Sequence, residues 1–269
     1  MVAVRLTRPG KMLDHYEQEA LKTMLHDFIV YPHMLDAVCF FASSALFLAY
    51  LRFIRRKSRN NPAYTVQGIS SLARLAWVKS VMEEGKDILA VQTLRNSTMA
   101  STFLASTAIL LAGGVLTLLA QSDKLRTAWQ TLNFIGVEHE SVLPVKLVIL
   151  LVDLFAAFFF FASSIRYYNH VGYMINAPYT ASERVMSPRV VAGQLNRAAH
   201  HYRMGLRGFY TMVPLVFWIF GPLFLFFSTI AMIMIVSHLD RTPPAVEQDF
   251  HRECDGAACF LDDLDDRDV

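Results

Sequence analysis

One carboxylate lies deep within an apolar stretch of the sequence, where it could bind an ion or a proton. Asp153 stands nine residues after Pro144 in the predominantly apolar segment 143–165. At about 1.5 Å per residue, a helix there would place Asp153 near the middle of about 30 Å of hydrocarbon. A carboxylate is costly at that depth and must face protein or water. We expect an ion or proton site, or a carboxyl that is protonated or bonded to hydroxyl groups of the preceding membrane helix, at Thr102, Ser106 or Thr107.

A second set of polar residues could meet at one depth, near the inner ends of two predicted membrane helices. The members considered for this cluster are Gln92, Arg95 and Asn96 on one helix and Arg166, Asn169 and His170 on the next. Such a cluster could bind a small solute. Alternatively, each arginine extends to a lipid phosphate, as arginines at helix ends commonly do. The basic residues at the end of the first apolar segment and just after it, including Arg52, Arg55 and Arg59, are expected to be of this second kind.

Histidines and cysteines give no pattern for a metal or haem site. No apolar segment has a histidine near its centre, so a haem held between two membrane histidines is not expected. Motifs for phosphate loops, zinc sites and nucleophile elbows are lacking, and we expect no cofactor and have no positive sign of catalysis. Cys39 is typical of a small buried apolar residue. Cys254 and Cys259 could form a disulfide in an oxidising compartment.

Four apolar segments of helix length would position these residues. Hydrophobic residues make up 54% of the 269 residues and charged residues 18%, which is unusual for a water-soluble protein. The hydrophobic residues concentrate in segments of about twenty residues, the length that a helix needs to cross a bilayer. The segments are 34–54, 98–120, 143–165 and 210–237. The sequence therefore predicts an all-α, polytopic membrane protein with four transmembrane helices.

The distribution of charge predicts the orientation. Lysine and arginine dominate the segments 55–97 and 166–209, which we therefore place in the cytoplasm as helical extensions. The segment after residue 237 is acidic and is placed outside. Four crossings then leave both termini non-cytoplasmic, in the inner membrane if the source is bacterial. Anionic lipid headgroups, rather than nucleic acid, are the expected partners of the basic segments.

Three domains follow from this pattern. Residues 1–33 are predicted to form an amphipathic helix that ends at Pro32, residues 34–240 the four-helix domain, and residues 241–269 an acidic tail. Within the domain we expect a break at Gly85, an uninterrupted helix over 87–119, and a helix that begins with Ser187 as its cap and Pro188 as its first residue. A stripe of small residues on the second membrane helix, Ser101, Ala105, Ala108 and Ala112, should pack against another helix.

Several stretches resemble a known family. They are "NPAYTVQGISSLARLAWV" from Asn61, "ILAVQTLRNSTMASTFLASTAILL" from Ile88, "SIRYYNH" from Ser164 and "WIFGPLFLF" from Trp218. Together, over residues 37–240, they are similar to the domain of unknown function 599, a family of membrane proteins of bacteria and plants. The resemblance implies a four-helix membrane fold and no established activity. It directs attention to Trp77 and to the polar residues Gln92, Arg95, Asn96, Arg166 and Asn169, which lie in the matching stretches.

The sequence supports three hypotheses of function. The first is a small pore or carrier for an ion or small solute, expected to be a homo-oligomer because four helices enclose little room. The second is an accessory or assembly subunit of a larger membrane protein complex. The third is an enzyme that acts on lipids at the inner interface.

Overall fold

The chain is almost entirely helical in the parts that the structure describes. The computed structural model describes residues 10–121, 142–177 and 187–243, with side chains from residue 34 onward except at Pro62. The helices are α1 Gly10–Asn60, a short 3-10 helix Pro62–Tyr64, α2 Val66–Glu84, α3 Asp87–Ala120, α4 Val142–Ile175, α5 Pro188–Trp218 and α6 Pro222–Asp240. The predicted all-α class is confirmed.

Four of these helices are long and apolar enough to cross a membrane. The spans are Met34–Asn60 within α1, Asp87–Ala120, Val142–Ile175 and Pro222–Asp240. A bundle with four such helices is a multi-pass membrane protein, as the sequence predicts. The predicted end of the first helix at Pro32 is wrong, because α1 continues from Gly10 to Asn60. A proline removes one backbone hydrogen bond, and the helix resumes on its far side.

Local signals fix both ends of α2. The Thr65 side chain caps α2, since its Oγ1 accepts a hydrogen bond from the Gly68 amide at 3.3 Å. Gly85 ends α2 in the left-handed conformation with a φ of 64°, which glycine adopts without the steric cost of a side chain. The predicted break at Gly85 and the long helix that follows it are therefore both present.

Small residues bring α3, α4 and α5 close together. The stripe on α3 is buried, and Ala105 packs with Ala157 and Phe161 of α4. On α5, a Cβ atom added to Gly205 would lie 2.7 Å from the Phe161 ring, so the α5 backbone passes directly over that ring. Close backbone approach increases dispersion contacts between helices in a medium as apolar as their side chains.

The fourth predicted segment, 210–237, is two helices rather than one. α5 ends at Trp218, and α6 begins at Pro222 after Gly221, which has a φ of 149°. Proline lacks the amide that would continue α5, and glycine permits the left-handed backbone at the turn. The break at Gly221 and Pro222 divides the predicted segment, and α6 alone is its apolar span.

α5 runs antiparallel to α4 along most of its length. Ser164 Oγ donates to the Ala198 carbonyl at 2.9 Å, Thr211 Oγ1 to Asp153 Oδ1 at 2.8 Å, and Lys146 Nζ to the Trp218 carbonyl at 3.2 Å. Residue numbers thus rise on α5 as they fall on α4. α5 therefore extends through the same layer as the apolar part of α4, although its own composition is more polar.

α6 then returns along the bundle to the end at which α1 finishes. Asp240 accepts a hydrogen bond from the Tyr50 hydroxyl at 3.1 Å, and the Thr242 amide donates to the Tyr64 carbonyl at 3.2 Å. We call this end, with Arg55, Lys57 and Arg59 on α1, the basic end, and the other end the Asp36 end. The expectation that the chain leaves its last helix at the end opposite the basic loops does not fit these contacts, because the turn at Gly221 adds a passage.

Candidate functional site

Polar side chains contact α5 at three levels of the bundle. The first level, at the Asp36 end, joins Asp36 of α1, Lys146 of α4 and Trp218 of α5. Lys146 Nζ lies 3.3 Å from Asp36 Oδ2, and Trp218 Nε1 donates to Asp36 Oδ1 at 2.9 Å. The Lys146 side chain is 0% exposed and that of Asp36 is 11% exposed. This buried ion pair connects three helices.

Aromatic rings surround the pair. The Phe40 and Trp218 rings stack with centroids 4.8 Å apart, and Lys146 Nζ lies 5.3 Å from the centroid of the Trp218 ring. A cation near an aromatic face is stabilised by the quadrupole of the ring, most strongly where water is absent. The arrangement holds the Lys146 side chain in place, and it favours a structural role for this level.

The second level is Asp153, about 10 Å along α4 from Lys146 at 1.5 Å per residue. Its Oδ1 accepts a hydrogen bond from Thr211 Oγ1 at 2.8 Å, and Thr211 Oγ1 also lies 2.9 Å from the Gly208 carbonyl. Its Oδ2 is buried and has no hydrogen-bond partner within the described ranges. A buried polar atom left without a partner costs free energy, so this oxygen is available to a proton, an ion or water.

The hydroxyl groups predicted to bond Asp153 lie elsewhere. Thr102 Oγ1 donates to the Thr98 carbonyl and Thr107 Oγ1 to the Phe103 carbonyl, both within α3. Ser106 is exposed on the same helix. That expectation is wrong, because the hydroxyl partner is Thr211 of α5, at the start of the fourth predicted segment and not on the second membrane helix.

The third level is a group of arginines at the basic end. Arg74 of α2 donates from Nε to Asn196 Oδ1 on α5 at 2.7 Å. Arg207 Nη2 lies 3.7 Å from Asp240 Oδ2, and Arg203 lies close enough to Arg74, Arg207 and Asp240 for their charges to act on it. Burial lowers the pKa of the Arg74 guanidinium from its ordinary value, while the nearby Tyr168 acts in the opposite sense.

The structure does not bring the predicted polar cluster together. Its members on α3 and α4 are all exposed, and none forms a hydrogen bond or ion pair with another described residue: Gln92, Arg95, Asn96, Arg166 and Asn169. Trp77 is partly buried and packs against the core formed by α2, α3, α4 and α5. Cys39 is buried, whereas Cys254 and Cys259 lie outside the described residues.

Sequence reasoning missed the residues that the structure does bring together. Lys146 and Asp36 each stand inside or beside an apolar segment, which is a usable signal, because charges there are retained only when they are paired. No such signal marks Arg203 and Arg207, which stand in a polar stretch. In the part of the chain described here, no group of three or more histidine, cysteine, aspartate or glutamate side chains could hold a metal ion.

Comparison with known proteins agrees with this architecture. A family model described as "Protein of unknown function, DUF599" matches residues 33–245, which is most of the chain. No curated protein and no solved structure matches. The matched range includes the four apolar spans and the three polar levels along α5. The chain therefore belongs to the DUF599 family of proteins of unknown function.

Proposed function

We propose that this protein is a small pore or carrier for an ion or small solute, with its path along α5. The free oxygen of Asp153 carries the proposal, because it is a buried acceptor in the apolar layer with no hydrogen-bond partner among the described residues. A proton or a small cation on Oδ2 would satisfy it. In this proposal Asp153 is the central binding residue, and Thr211 holds its carboxylate in position.

The polar levels on α5 support a path through the bilayer. From Arg203 to Trp218, α5 rises about 22 Å at 1.5 Å per residue, which is most of about 30 Å of hydrocarbon. Apolar residues of α3 and α4 pack against it and cover part of its surface. Ionisable groups enclosed in this way commonly mark ion and proton paths in membrane proteins.

We further propose that α5 is a crossing helix in addition to the four apolar spans. With the basic end in the cytoplasm, as the excess of arginine favours, α1 enters the cell, α3 leaves, α4 enters, α5 leaves and α6 enters. The segment after residue 243 then begins in the cytoplasm, on the side opposite Met34. This proposal replaces the expectation that both termini are outside.

Flux into liposomes tests the transport proposal. The purified full chain is reconstituted with an encapsulated pH-sensitive dye, and a potassium gradient with valinomycin drives protons. We expect proton flux above that of empty liposomes, and its loss in Asp153→Asn, which keeps the size and the Thr211 hydrogen bond but removes the charge. Asp87→Asn is the matched control, since Asp87 is exposed at the start of α3 and its loss should leave the flux unchanged.

Two results would contradict the proposal. One is wild-type flux no greater than that of empty liposomes, and the other is full flux in Asp153→Asn. In the first case the alternative is that the protein is an accessory subunit of a larger complex. Purification in gentle detergent followed by mass measurement distinguishes a subunit from a carrier. A homo-oligomer of this chain supports the carrier, whereas other proteins in fixed ratio support the subunit.

A further inference from the structure

The hydroxyl oxygen of Thr211 has two other oxygen atoms at hydrogen-bond distance. Thr211 Oγ1 lies 2.8 Å from Asp153 Oδ1 and 2.9 Å from the Gly208 carbonyl oxygen. Both distances are typical of O–H···O hydrogen bonds. Asp153 lies on α4 and the other two residues lie on α5, and all three belong to the described ranges. The number of hydrogen atoms in this group of oxygens therefore determines which of them donate and which accept.

The threonine hydroxyl alone cannot make both contacts into full hydrogen bonds. It carries one hydrogen, and the Gly208 carbonyl carries none. A hydrogen directed at Asp153 would leave two oxygen atoms facing each other at 2.9 Å with no hydrogen between them. A hydrogen shared between both acceptors would point directly at neither, and hydrogen bonds weaken as they bend. A second hydrogen is needed, and the Asp153 carboxyl is the group that can carry it.

A protonated Asp153 satisfies both contacts. Its Oδ1 then donates to Thr211 Oγ1, and Thr211 donates to the Gly208 carbonyl one turn earlier on α5. Threonine hydroxyls within helices commonly donate to a carbonyl of the preceding turn. The other oxygen, Oδ2, becomes the carbonyl oxygen of an uncharged acid. It remains the open side of the carboxyl, where a proton can arrive or leave.

The charges near Asp153 favour the same state. The closest cations along α4 and α5 are Lys146 and Arg207, and each faces a different carboxylate. Lys146 Nζ lies 3.3 Å from Asp36 Oδ2, and Arg207 Nη2 lies 3.7 Å from Asp240 Oδ2. An ionised Asp153 would add a further negative charge to the apolar layer, whereas protonation avoids that cost. The stretches of α1, α3 and α6 between the ends of the bundle have no charged residue: 37–51, 97–120 and 222–237.

We infer that Asp153 is a proton site, with the proton on Oδ1 and Thr211 as the positioning residue that accepts its hydrogen bond. When the proton leaves, the Thr211 hydroxyl turns its hydrogen from the Gly208 carbonyl to Oδ1 and stabilises the carboxylate. One side chain thus serves both states. The inference rests on the proposed function only where it names the proton as the ion that is carried.

Infrared spectroscopy of the full chain in phosphatidylcholine vesicles tests the protonation directly. A neutral carboxyl group has a C=O stretching band at a higher frequency than a carboxylate. At neutral pH we expect such a band in the wild type and its loss in Asp153→Asn. Asparagine keeps the size of the side chain, and its amide can donate to Thr211 in place of the acid. Asp87→Asn is the matched control, because Asp87 is exposed on α3, and it should leave the band unchanged.

Two substitutions test the role of Thr211. Thr211→Val keeps the shape of the side chain and removes the acceptor, so the C=O band of Asp153 should shift to higher frequency as the acid loses its hydrogen bond. Thr211→Ser restores a hydroxyl at the same place and should return the band to its wild-type frequency. A role of Thr211 in packing alone would leave the frequency unchanged in both variants.

A cation titration of the wild type completes the test without depending on the folding of a variant. Replacement of choline chloride by sodium chloride or potassium chloride at constant pH should leave the band unchanged, since a proton and not a metal cation occupies the carboxyl. The inference is overturned if Asp153→Asn loses no neutral-carboxyl band, if sodium or potassium removes the band, or if Thr211→Val leaves its frequency unchanged.

Proton flux into the same vesicles separates this inference from the transport proposal. A neutral-carboxyl band that belongs to Asp153, together with flux no greater than that of empty vesicles, would support the proton site and contradict transport. Flux that depends on Asp153 without such a band would support transport and overturn the proton site as it is assigned here.

Discussion

At the scale of single residues, the protein holds charges inside an apolar bundle by two different means. Lys146 and Asp36 neutralise each other and share Trp218 as a common partner. One carboxylate oxygen of Asp153 accepts a hydrogen bond from the Thr211 hydroxyl. The other has no hydrogen-bond partner within the described ranges. A complete set of partners suits a structural role, whereas an incomplete set suits binding, because a ligand can supply what the protein does not.

Replacing Lys146 tests the structural role of the ion pair. Lys146→Met keeps the length of the side chain but leaves the Asp36 carboxylate buried without its cation, which should lower the free energy of unfolding by about 3–5 kcal/mol. Thermal unfolding in a mild detergent measures the loss. Adding Asp36→Asn to this variant should restore part of the stability, because the unpaired charge is then removed.

Lys79→Met is the control for that experiment, since Lys79 is exposed on α2. It should change the stability by less than about 0.5 kcal/mol. Equal effects of the substitutions at Lys79 and Lys146 would show that the buried pair contributes nothing to the fold.

At the scale of helices, α5 is the element around which the others pack. It contacts α4 along its length through glycine and alanine, and it shares with α2 the core that contains Val78 and Leu195. Its hydrophobic face is turned towards these helices and not only towards lipid. This explains how a helix with several arginines can lie within the apolar layer.

The contact between Gly205 and Phe161 provides a test of that packing. Gly205→Ala would place a Cβ atom 2.7 Å from the Phe161 ring, so the two helices must separate, at a cost of about 1–3 kcal/mol. Gly193→Ala is the matched control on the same helix, because nothing lies within 4 Å of its added Cβ. It should be neutral or stabilising by up to about 1 kcal/mol, since alanine favours helix. Chemical unfolding in detergent compares the two, and equal stability would contradict the close contact.

Much of the helical framework could be predicted from local signals. Gly85 and Ser187 end and begin helices through their own backbone and side-chain preferences, and the apolar spans follow from composition. The partner of Asp153 could not be predicted, because Thr211 stands 58 residues away on a helix whose depth depends on the packing of the whole bundle. The same holds for Arg203, whose neighbours come from α2 and α6.

At the scale of the whole molecule, the proposed topology places the basic end on the cytoplasmic side of the membrane and the Asp36 end on the opposite side. Arg59 and Pro243 are exposed at the basic end, and Gln121 is exposed at the close of α3. The antiparallel passage of α5 puts the end of α6 beside Tyr50 and Tyr64. The sidedness of these three positions therefore distinguishes the proposed topology from one with four crossings.

Cysteine labelling in intact cells tests this arrangement. In a chain whose native cysteines are replaced, single cysteines at Arg59 and Pro243 should be protected from a membrane-impermeant reagent, while one at Gln121 should react. Permeabilised cells provide the control for reactivity, since all three positions should then be labelled. Reaction at the Pro243 position in intact cells, with protection at the Arg59 position, would restore the topology with both termini outside.

In the proposed topology, the turn at Gly221 also constrains how the protein is made. α5 contains Arg203 and Arg207, and each arginine costs about 2.5–3.5 kcal/mol when a helix partitions alone into the centre of a bilayer. Because α6 follows after three residues and is strongly apolar, the two helices can leave the translocon as a hairpin, with α6 drawing α5 into lipid. A nascent chain that stops at Trp218 would then leave its last helix in the cytosol, exposed to proteases, although every residue of that helix has been synthesised.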